Sequence, residues 1–109
     1  MQKLKVLMVP AAGTPTLKDI DGSLESMQKL VGGYIETDAI CPGILAVVNE
    51  EGIVSDLPVN LGIAGRLYFG DVFLVGHDPG DEDFRSIGFY EAVNLFEQGI
   101  VPGYGVNLA

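Results

Sequence analysis

The segment ILAVVNEEGIVSDLPVNLGIAG, residues 44–65, decides the fold. Ile44–Asn49 is an apolar run of the kind that predicts a strongly buried strand. The letters NEEG, residues 49–52, then predict a hairpin turn whose glycine supplies a positive φ. Residues 53–60 are expected to return as a second strand. That strand must stop or lie at a sheet edge at Pro58, because proline cannot donate a ladder hydrogen bond. The polar residues around the turn are explained by the hairpin itself.

Towards the N-terminus, the clearest element is a helix in GSLESMQKLVGG, residues 22–33. Ser23 is a suitable N-cap, and the two closing glycines end the helix in the left-handed conformation. Apolar residues at helical spacing predict one stripe on it, formed by Leu24, Met27, Leu30 and Val31. Before this helix, LKVLMVP, residues 4–10, predicts a strand buried on both faces, followed by a short strand around residues 16–20.

Towards the C-terminus, further strands and a second helix are expected. Tyr34–Ile40 and GDVFLVG, residues 70–76, predict strands, while residues 61–69 are open between loop and strand. RSIGFYEAVNLFEQG, residues 85–99, predicts a helix. Its buried stripe is expected to be Phe89, Val93 and Phe96, with Tyr90 and Ala92 alongside. This element order favours an α+β fold, in which a mixed or antiparallel sheet of four to six strands is covered by two helices.

The composition predicts one acidic domain over residues 1–109, with a tail at residues 100–109 that is mobile or forms a contact between chains. Fifteen acidic and six basic residues give a formal net charge of −9, which argues against direct nucleic-acid binding. No apolar run is long enough to span a membrane, and no signal peptide is recognisable. Because Cys41 is the only cysteine, no internal disulfide is possible, and we expect a cytoplasmic protein.

Catalytic and metal-binding patterns are absent from the sequence. His77 and Cys41 have no recognisable partner for general-base or nucleophilic chemistry, and together they cannot build a zinc site. Asp78, Asp81 and Asp83 offer oxygen atoms to a hard cation, but their spacing is not that of a calcium loop, so a solvated acidic loop is expected. No glycine-rich segment matches a phosphate-binding motif. We therefore expect a non-catalytic protein with no metal and no cofactor.

The best candidate for a ligand site is a pair of arginines, each next to an aromatic residue. Arg66 is the one basic residue between Val31 and Phe84; it either pairs with Asp56 or Asp71 or grips an anion while Tyr68 stacks on a base. A second arginine lies near the predicted N-terminus of the second helix, which favours anions. Six residues form the predicted ligand site: Asn60, Arg66, Tyr68, Phe84, Arg85 and Ser86. Asn60 is open between capping backbone groups and contacting a ligand.

Four segments in order resemble the domain of unknown function 3846 family: IDGSLESMQKLVGGYIE, VVNEEGIVSDLPVN, GDVFLVG and DEDFRSI. The resemblance runs from about Val6 to Phe96. The family pattern often has a longer insertion between LPVN and GDVFLVG, where this chain has only LGIAGRLYF. The resemblance implies an origin in a phage or mobile element and carries no active site.

Two functions from different classes follow as expectations. The first is a homo-oligomeric counter-defence protein that sequesters a small nucleotide signal of host immunity, a hypothesis that depends on the two arginine–aromatic pairs and the family resemblance. The alternative is an acidic inhibitor that mimics DNA and binds a host defence protein such as a restriction or nuclease enzyme. This hypothesis depends on the net charge of −9.

Overall fold

A computed structural model describes residues 3–51, 56–102 and 107–108 of the chain, with the side chains of Leu61, Asn107 and Leu108 outside the description. The elements in chain order are β1 Lys3–Val9, β2 Thr16–Asp21, α1 Leu24–Val31, β3 Ile35–Cys41, β4 Ile44–Asn49, β5 Val59–Ile63, β6 Arg66–Phe69, β7 Val72–Gly76, α2 Phe89–Glu97 and β8 Asn107–Leu108. The predicted hairpin turn at Gly52 lies outside the described residues.

Within the described residues, six strands form the main sheet in the order β3-β4-β7-β1-β2-β8. Adjacent strands are antiparallel except β8, which pairs parallel to β2 at the sheet edge. Strands β5 and β6 form a separate hairpin. A mixed sheet with two helices confirms the predicted α+β class.

The prediction that β4 pairs with the segment after it is wrong. Strand β4 lies between β3 and β7, and β5 pairs with β6 instead. The physical reason is burial: all five residues of β7 are buried, so β7 gains most by pairing on both sides in the centre of the sheet. The segment left open in sequence, residues 61–69, contains the hairpin turn. Ala64 and Gly65 both have positive φ, 53° and 72°, as in a two-residue turn between paired Ile63 and Arg66.

Helix α1 forms as its local sequence predicts. The Ser23 side chain accepts a hydrogen bond from the Ser26 backbone N–H at 3.2 Å, which caps the first turn. Gly32 ends the helix with φ of 82°, and its N–H donates to the Gln28 carbonyl. Met27 and Val31 are buried, whereas Leu24 at the start of the predicted stripe is 56% exposed.

The sheet carries a hydrophobic core on each face. Because side chains alternate along a strand, Val6 and Phe73 lie on the face covered by α1, and Leu7 and Leu74 lie on the face covered by α2 and the β5–β6 hairpin. On the second face, Ile63 and Tyr68 of the hairpin and Ala92 and Leu95 of α2 join the same cluster. The molecule therefore has three layers, with the small hairpin sharing the outer layer with α2.

The predicted stripe of α2 is confirmed for Ala92, which is buried, and for Phe96, which packs partly buried against the core, and it is wrong for Phe89 and Tyr90. Ala92 and Leu95 are the buried residues, whereas Phe89 is 45% exposed and Tyr90 is 83% exposed. The buried residues that flank the helix, Ile87 before it and Val101 after it, belong to the same core and fix its rotation. The smaller alanine therefore faces the sheet, and the two aromatic rings pack edge to face on the outside.

The tail begins inside the core. Val101 is 1% exposed, and the N–H groups of Ile100 and Val101 both donate to the Leu95 carbonyl. Asn107–Leu108 pairs with β2, and residues 103–106 and 109 lie outside the described part of the chain. The expected contact between chains through this tail stays a prediction. Neither described helix is long and apolar enough to cross a membrane.

Candidate functional site

Arg66 and Tyr68, two of the predicted site residues, meet on Asp38 of β3. The Tyr68 hydroxyl donates to Asp38 Oδ2 at 2.6 Å, and Arg66 Nη1 lies 2.8 Å from the same oxygen. Arg66 Nη1 also donates to the Ala39 carbonyl at 3.1 Å. The alternation of side chains along β3 and along β6 brings these groups together on the α2 face of the sheet. Arg66 therefore forms an ion pair within the chain, which is one of the two predicted alternatives. Its partner is Asp38 rather than the predicted Asp56 or Asp71.

The pKa values of this cluster follow from its hydrogen bonds and its partial burial. The hydrogen bond from Tyr68, together with Arg66, holds the pKa of the Asp38 carboxyl below its usual value, although burial acts in the opposite direction. Burial first, and then the hydrogen bond to Asp38, raises the pKa of the Tyr68 hydroxyl. The Arg66 and Asp38 side chains are still 47% and 40% exposed, so solvent reaches the pair.

Arg85, the second arginine, is held by two carboxylates and two backbone carbonyls. Its Nη1 and Nη2 donate to the two oxygens of Glu91 at 2.8 and 2.9 Å, and its Nε donates to Asp78 at 2.9 Å. The same guanidinium reaches the carbonyls of Ser86 at 3.1 Å and Gly43 at 3.4 Å. The hydrogen bonds to Glu91 and Asp78 raise the pKa of Arg85, so the group stays charged. Its donor directions are already used inside the molecule.

A glycine makes room for this arginine. A Cβ placed on Gly76 would lie 2.7 Å from both Cγ and Cζ of Arg85, which is closer than such atoms approach in proteins. The two residues also exchange backbone hydrogen bonds, at 2.9 Å from Gly76 N and 2.8 Å from Arg85 N. Arg85 therefore lies flat against the end of β7, and Glu91 in turn accepts from the Gly88 backbone N–H at 2.9 Å to cap α2.

The remaining predicted site residues have structural contacts. Asn60 is 3% exposed and donates from Nδ2 to the carbonyls of Val9 at 2.7 Å and Gly70 at 3.0 Å, which is the capping alternative. Ser86 Oγ accepts from the Lys5 backbone N–H at 2.9 Å. Phe84 is half-buried against the α1-side core.

The structure brings Arg66 and Tyr68 together and places Arg85 at a different point. Both guanidinium groups nevertheless reach the same β3–β4 hairpin, one at the Ala39 carbonyl and the other at the Gly43 carbonyl. Sequence reasoning missed their acidic partners, Asp38 and Glu91. Glu91 is three residues after the N-cap Gly88 and accepts its N–H, but glycine has no side chain to complete the capping box by which a sequence pattern would identify Glu91. No signal points to Asp38 either, which is distant in sequence from Arg66.

The negative charge is concentrated in one part of the fold. Residues 31–84 hold ten of the fifteen acidic residues and one of the six basic residues, so their formal charge equals that of the whole chain. These residues build β3, β4 and β7, which form one half of the main sheet, together with the β5–β6 hairpin. The four lysines lie on β1, β2 and α1 in the other half. The sequence asymmetry thus becomes a spatial one, and this acidic half is the most distinctive surface of the molecule.

The acidic loop at residues 77–83 is ordered by its own hydrogen bonds. The ring Nε2 of His77 lies 2.8 Å from the Asp81 carbonyl, to which it can only donate. The Asp81 N–H donates to the Asp78 carbonyl at 3.1 Å, and Asp81 Oδ1 accepts from the Asp83 N–H at 3.0 Å. Asp78 is tied to Arg85. Among the described residues, Glu82 and Asp83 enter no salt bridge.

Three comparisons bear on identity. The family model described as "Domain of unknown function (DUF3846)" matches residues 4–98. No curated protein matches the chain, and no solved structure matches it. In the described part of the chain, no group of three or more His, Cys, Asp or Glu side chains is placed to hold a metal ion.

Proposed function

The chain belongs to the domain of unknown function 3846 family, and we propose that it is a non-catalytic binding protein whose acidic half docks on a basic surface of a partner protein. The observation that carries this proposal is the segregation of charge: the β3, β4 and β7 half of the sheet, with its loops and hairpin, accounts for the formal charge of −9. A one-signed half attracts an oppositely charged surface and raises the rate of association.

The ion pairs of the molecule leave much of this charge available. Of the ten acidic residues between positions 31 and 84, Asp38 and Asp78 are in salt bridges within the described residues. Glu36, Glu50 and Glu51 are exposed at one end of the β3–β4 pair, and Glu82 and Asp83 are exposed in the loop after β7. A basic partner would pair with carboxylates that the protein itself does not neutralise.

The family resemblance supports a proposal about the origin, location and target of the protein. We propose that the protein comes from a phage or mobile element, acts in the host cytoplasm, and inhibits a host restriction or nuclease enzyme by occupying the enzyme's DNA-binding surface. The acidic half supports this setting, because an enzyme that binds the DNA backbone presents clustered lysine and arginine. Homo-oligomerisation belongs to the same proposal and would place two acidic halves on one particle.

Inhibition of DNA cleavage tests this proposal. Host restriction and nuclease enzymes would be assayed with excess protein, with the triple variant E36Q/E50Q/E51Q, and with the control E25Q on α1 in the lysine-bearing half. We expect at least one enzyme to be inhibited, with potency falling at least about tenfold between about 50 and 200 mM salt, since exposed charges are screened. The triple variant should inhibit more weakly and E25Q as well as the wild type. No inhibition and no physical binding of any enzyme, or equal potency of the triple variant, would overturn the proposal.

Sequestration of a nucleotide is the second candidate, and the exposure of Arg66 is the observation in its favour. The Arg66 side chain is 47% exposed and its guanidinium pairs with a single carboxylate, so a phosphate could compete with Asp38 for it. Two features weigh against it: Arg85 already has its donors occupied, and the Tyr68 side chain is 9% exposed, which leaves little ring for base stacking.

A thermal-shift screen with cyclic and ADP-ribose-type nucleotides tests this second candidate. Sequestration predicts a rise in Tm for at least one nucleotide that is lost in Arg66→Ala. It also predicts a larger rise in Asp38→Asn, because the competing carboxylate is then removed. The absence of any shift in all three proteins would eliminate nucleotide binding at this place.

A further inference from the structure

A small cleft lies where the acidic loop meets the first helix. It is lined by Leu4, Gly22, Met27, Glu82, Asp83 and Phe84. Its floor is apolar: Leu4 and Met27 are 4% and 7% exposed, and Phe84 packs half-buried against the same cluster. Its rim is acidic and carries no basic residue. An apolar floor below an acidic rim offers contact for methylene groups and carboxylates for a cation in one place.

The backbone that carries the rim carboxylates is held in place, and the carboxylates themselves are not neutralised. Two neighbouring carboxylates take part in the hydrogen bonds that order the loop. Asp78 accepts from Arg85, and Asp81 accepts from the Asp83 N–H. Glu82 and Asp83, which follow, are exposed and have no salt-bridge partner in the described parts of the chain. The loop therefore presents two free carboxylates from a fixed backbone, which reduces the ordering cost of binding a cation.

Three of the four lysines, Lys3, Lys5 and Lys29, do not supply the missing charge. The fourth, Lys18, lies opposite Val6 on the same sheet face as Leu4, but it is not among the residues that line the cleft. Lys3 and Lys5 alternate with Leu4 along β1 and so project from the opposite face of the sheet. Lys5 and Lys29 are also paired with Asp19 and Glu25. The positive end of the α1 dipole lies beside Gly22, but the Ser23 hydroxyl takes up the Ser26 N–H and Glu25 lies in the first turn.

We propose that this cleft receives one lysine or arginine side chain of the basic partner protein. The aliphatic stem would lie on Met27 and Phe84, because long basic side chains bury their methylenes on apolar surface and keep the charged end at its rim. The charged end would pair with Glu82 and Asp83 by charge-assisted hydrogen bonds, with the Phe84 ring as a further attraction for the cation. This assignment rests on the proposed function and places the point of recognition where the acidic loop after β7 meets β1 and α1.

A two-dimensional NMR titration tests the cleft directly. The probes are N-acetyl-lysine methylamide and its uncharged analogue N-acetyl-norleucine methylamide, added to the wild type, to E82Q/D83N, and to the control E97Q, whose carboxylate is exposed at the end of α2 outside the acidic half. We expect the lysine probe to shift the signals of Gly22, Met27 and Phe84 saturably. Removing both carboxylates should weaken the apparent affinity by about tenfold, and the control should change it less than about twofold. Equal shifts with the norleucine probe, or equal affinity in E82Q/D83N, would overturn the assignment.

The cleavage assay separates this assignment from the proposed function. If an enzyme is inhibited equally by the wild type and E82Q/D83N, the cleft is not the recognition point, although the acidic half still binds. If E82Q/D83N inhibits more weakly while E25Q does not, the cleft assignment is supported. If no enzyme binds, the proposed function fails and the cleft loses the partner assigned to it, whatever the lysine probe does.

Discussion

Replacing Asn60 should destabilise the protein strongly rather than weaken a ligand site. Asn60 lies on β5, is 3% exposed, and donates to the carbonyls of Val9 on β1 and Gly70 before β7. The first of these hydrogen bonds joins the β5–β6 hairpin to the main sheet, and the second joins β5 to the connection between β6 and β7. Asn60→Ala removes the donor from both carbonyls and leaves a small void, with each unsatisfied buried group costing about 1–3 kcal/mol. We therefore expect the free energy of unfolding to fall by about 2–6 kcal/mol.

Asn60→Asp adds a dependence on pH that distinguishes this mechanism from loss of packing. An ionised carboxylate at this place would face two carbonyl oxygens and would lack a donor, so burial and repulsion should raise its pKa in the folded state. A group whose folded pKa is raised favours folding most below its unfolded pKa of about 3.9, and that contribution is lost as the pH rises through the folded value. Asn60→Asp should therefore be less stable than Asn60→Ala at neutral pH, and the difference should shrink near pH 4.

Urea unfolding of the three proteins, followed by circular dichroism, measures both effects. Asn94→Ala is the matched control, because Asn94 is exposed on α2 and has one side-chain hydrogen bond, from Gln98 at 3.2 Å. The control should change the free energy of unfolding by no more than about 0.5 kcal/mol. If Asn60→Ala were as small as the control, or if Asn60→Asp showed no pH dependence relative to Asn60→Ala, the structural role of this amide would be refuted.

Three further substitutions or modifications test the network around Arg85. Gly76→Ala should lower the free energy of unfolding, measured in urea, by about 1–3 kcal/mol, because the new Cβ would lie 2.7 Å from Arg85 Cγ. The loss should be at least halved when Arg85 is also replaced by alanine, and an unchanged loss would contradict the contact. The hydrogen bond from Arg85 lowers the pKa of Glu91, so this carboxylate stabilises the fold above its unfolded pKa of about 4.3, and the benefit is lost as the pH falls through the folded value. The difference in Tm between wild type and Glu91→Gln should thus be largest at neutral pH and shrink towards pH 3; a constant difference would argue against the pair. Burial, and then the charge of Glu91, raises the pKa of the Cys41 thiol. A disulfide reagent should therefore label the native protein at least about tenfold more slowly than the urea-unfolded protein. Equal labelling rates would contradict this environment of the thiol.

The local parts of the fold could be predicted from the sequence because local rules determine them. Helix α1 has its N-cap at Ser23 and its left-handed stop at Gly32 within twelve residues, so no distant contact is needed to find its ends. The continuous apolar run of β7 likewise predicts a central strand from its own residues alone. The class of the fold follows from the order of such elements.

The errors concern partners that are distant in sequence. The pairing of β4 with β7 spans about thirty residues, whereas the hairpin rule considers only the adjacent segment. The rotation of α2 depends on Ile87 and Val101, which lie outside the helix and enter the core with it. Among the predicted site residues, Arg66 and Tyr68 do come together, but nothing in their own segment identifies Asp38 as the shared acceptor.

The positions of the two arginines explain how an acidic half of this size can stay folded. Like charges on β3, directly after β4 and in the loop after β7 repel one another and oppose the compact state. Arg66 binds Asp38 and the Ala39 carbonyl, while Arg85 binds Glu91, Asp78 and the Gly43 carbonyl, so each cation fixes the β3–β4 hairpin to a second element. Arginine suits this task because its planar fork makes several directed bonds at once. The two cations thus stabilise the acidic half from inside, which leaves its outer carboxylates, Glu82 and Asp83 among them, free for a basic partner.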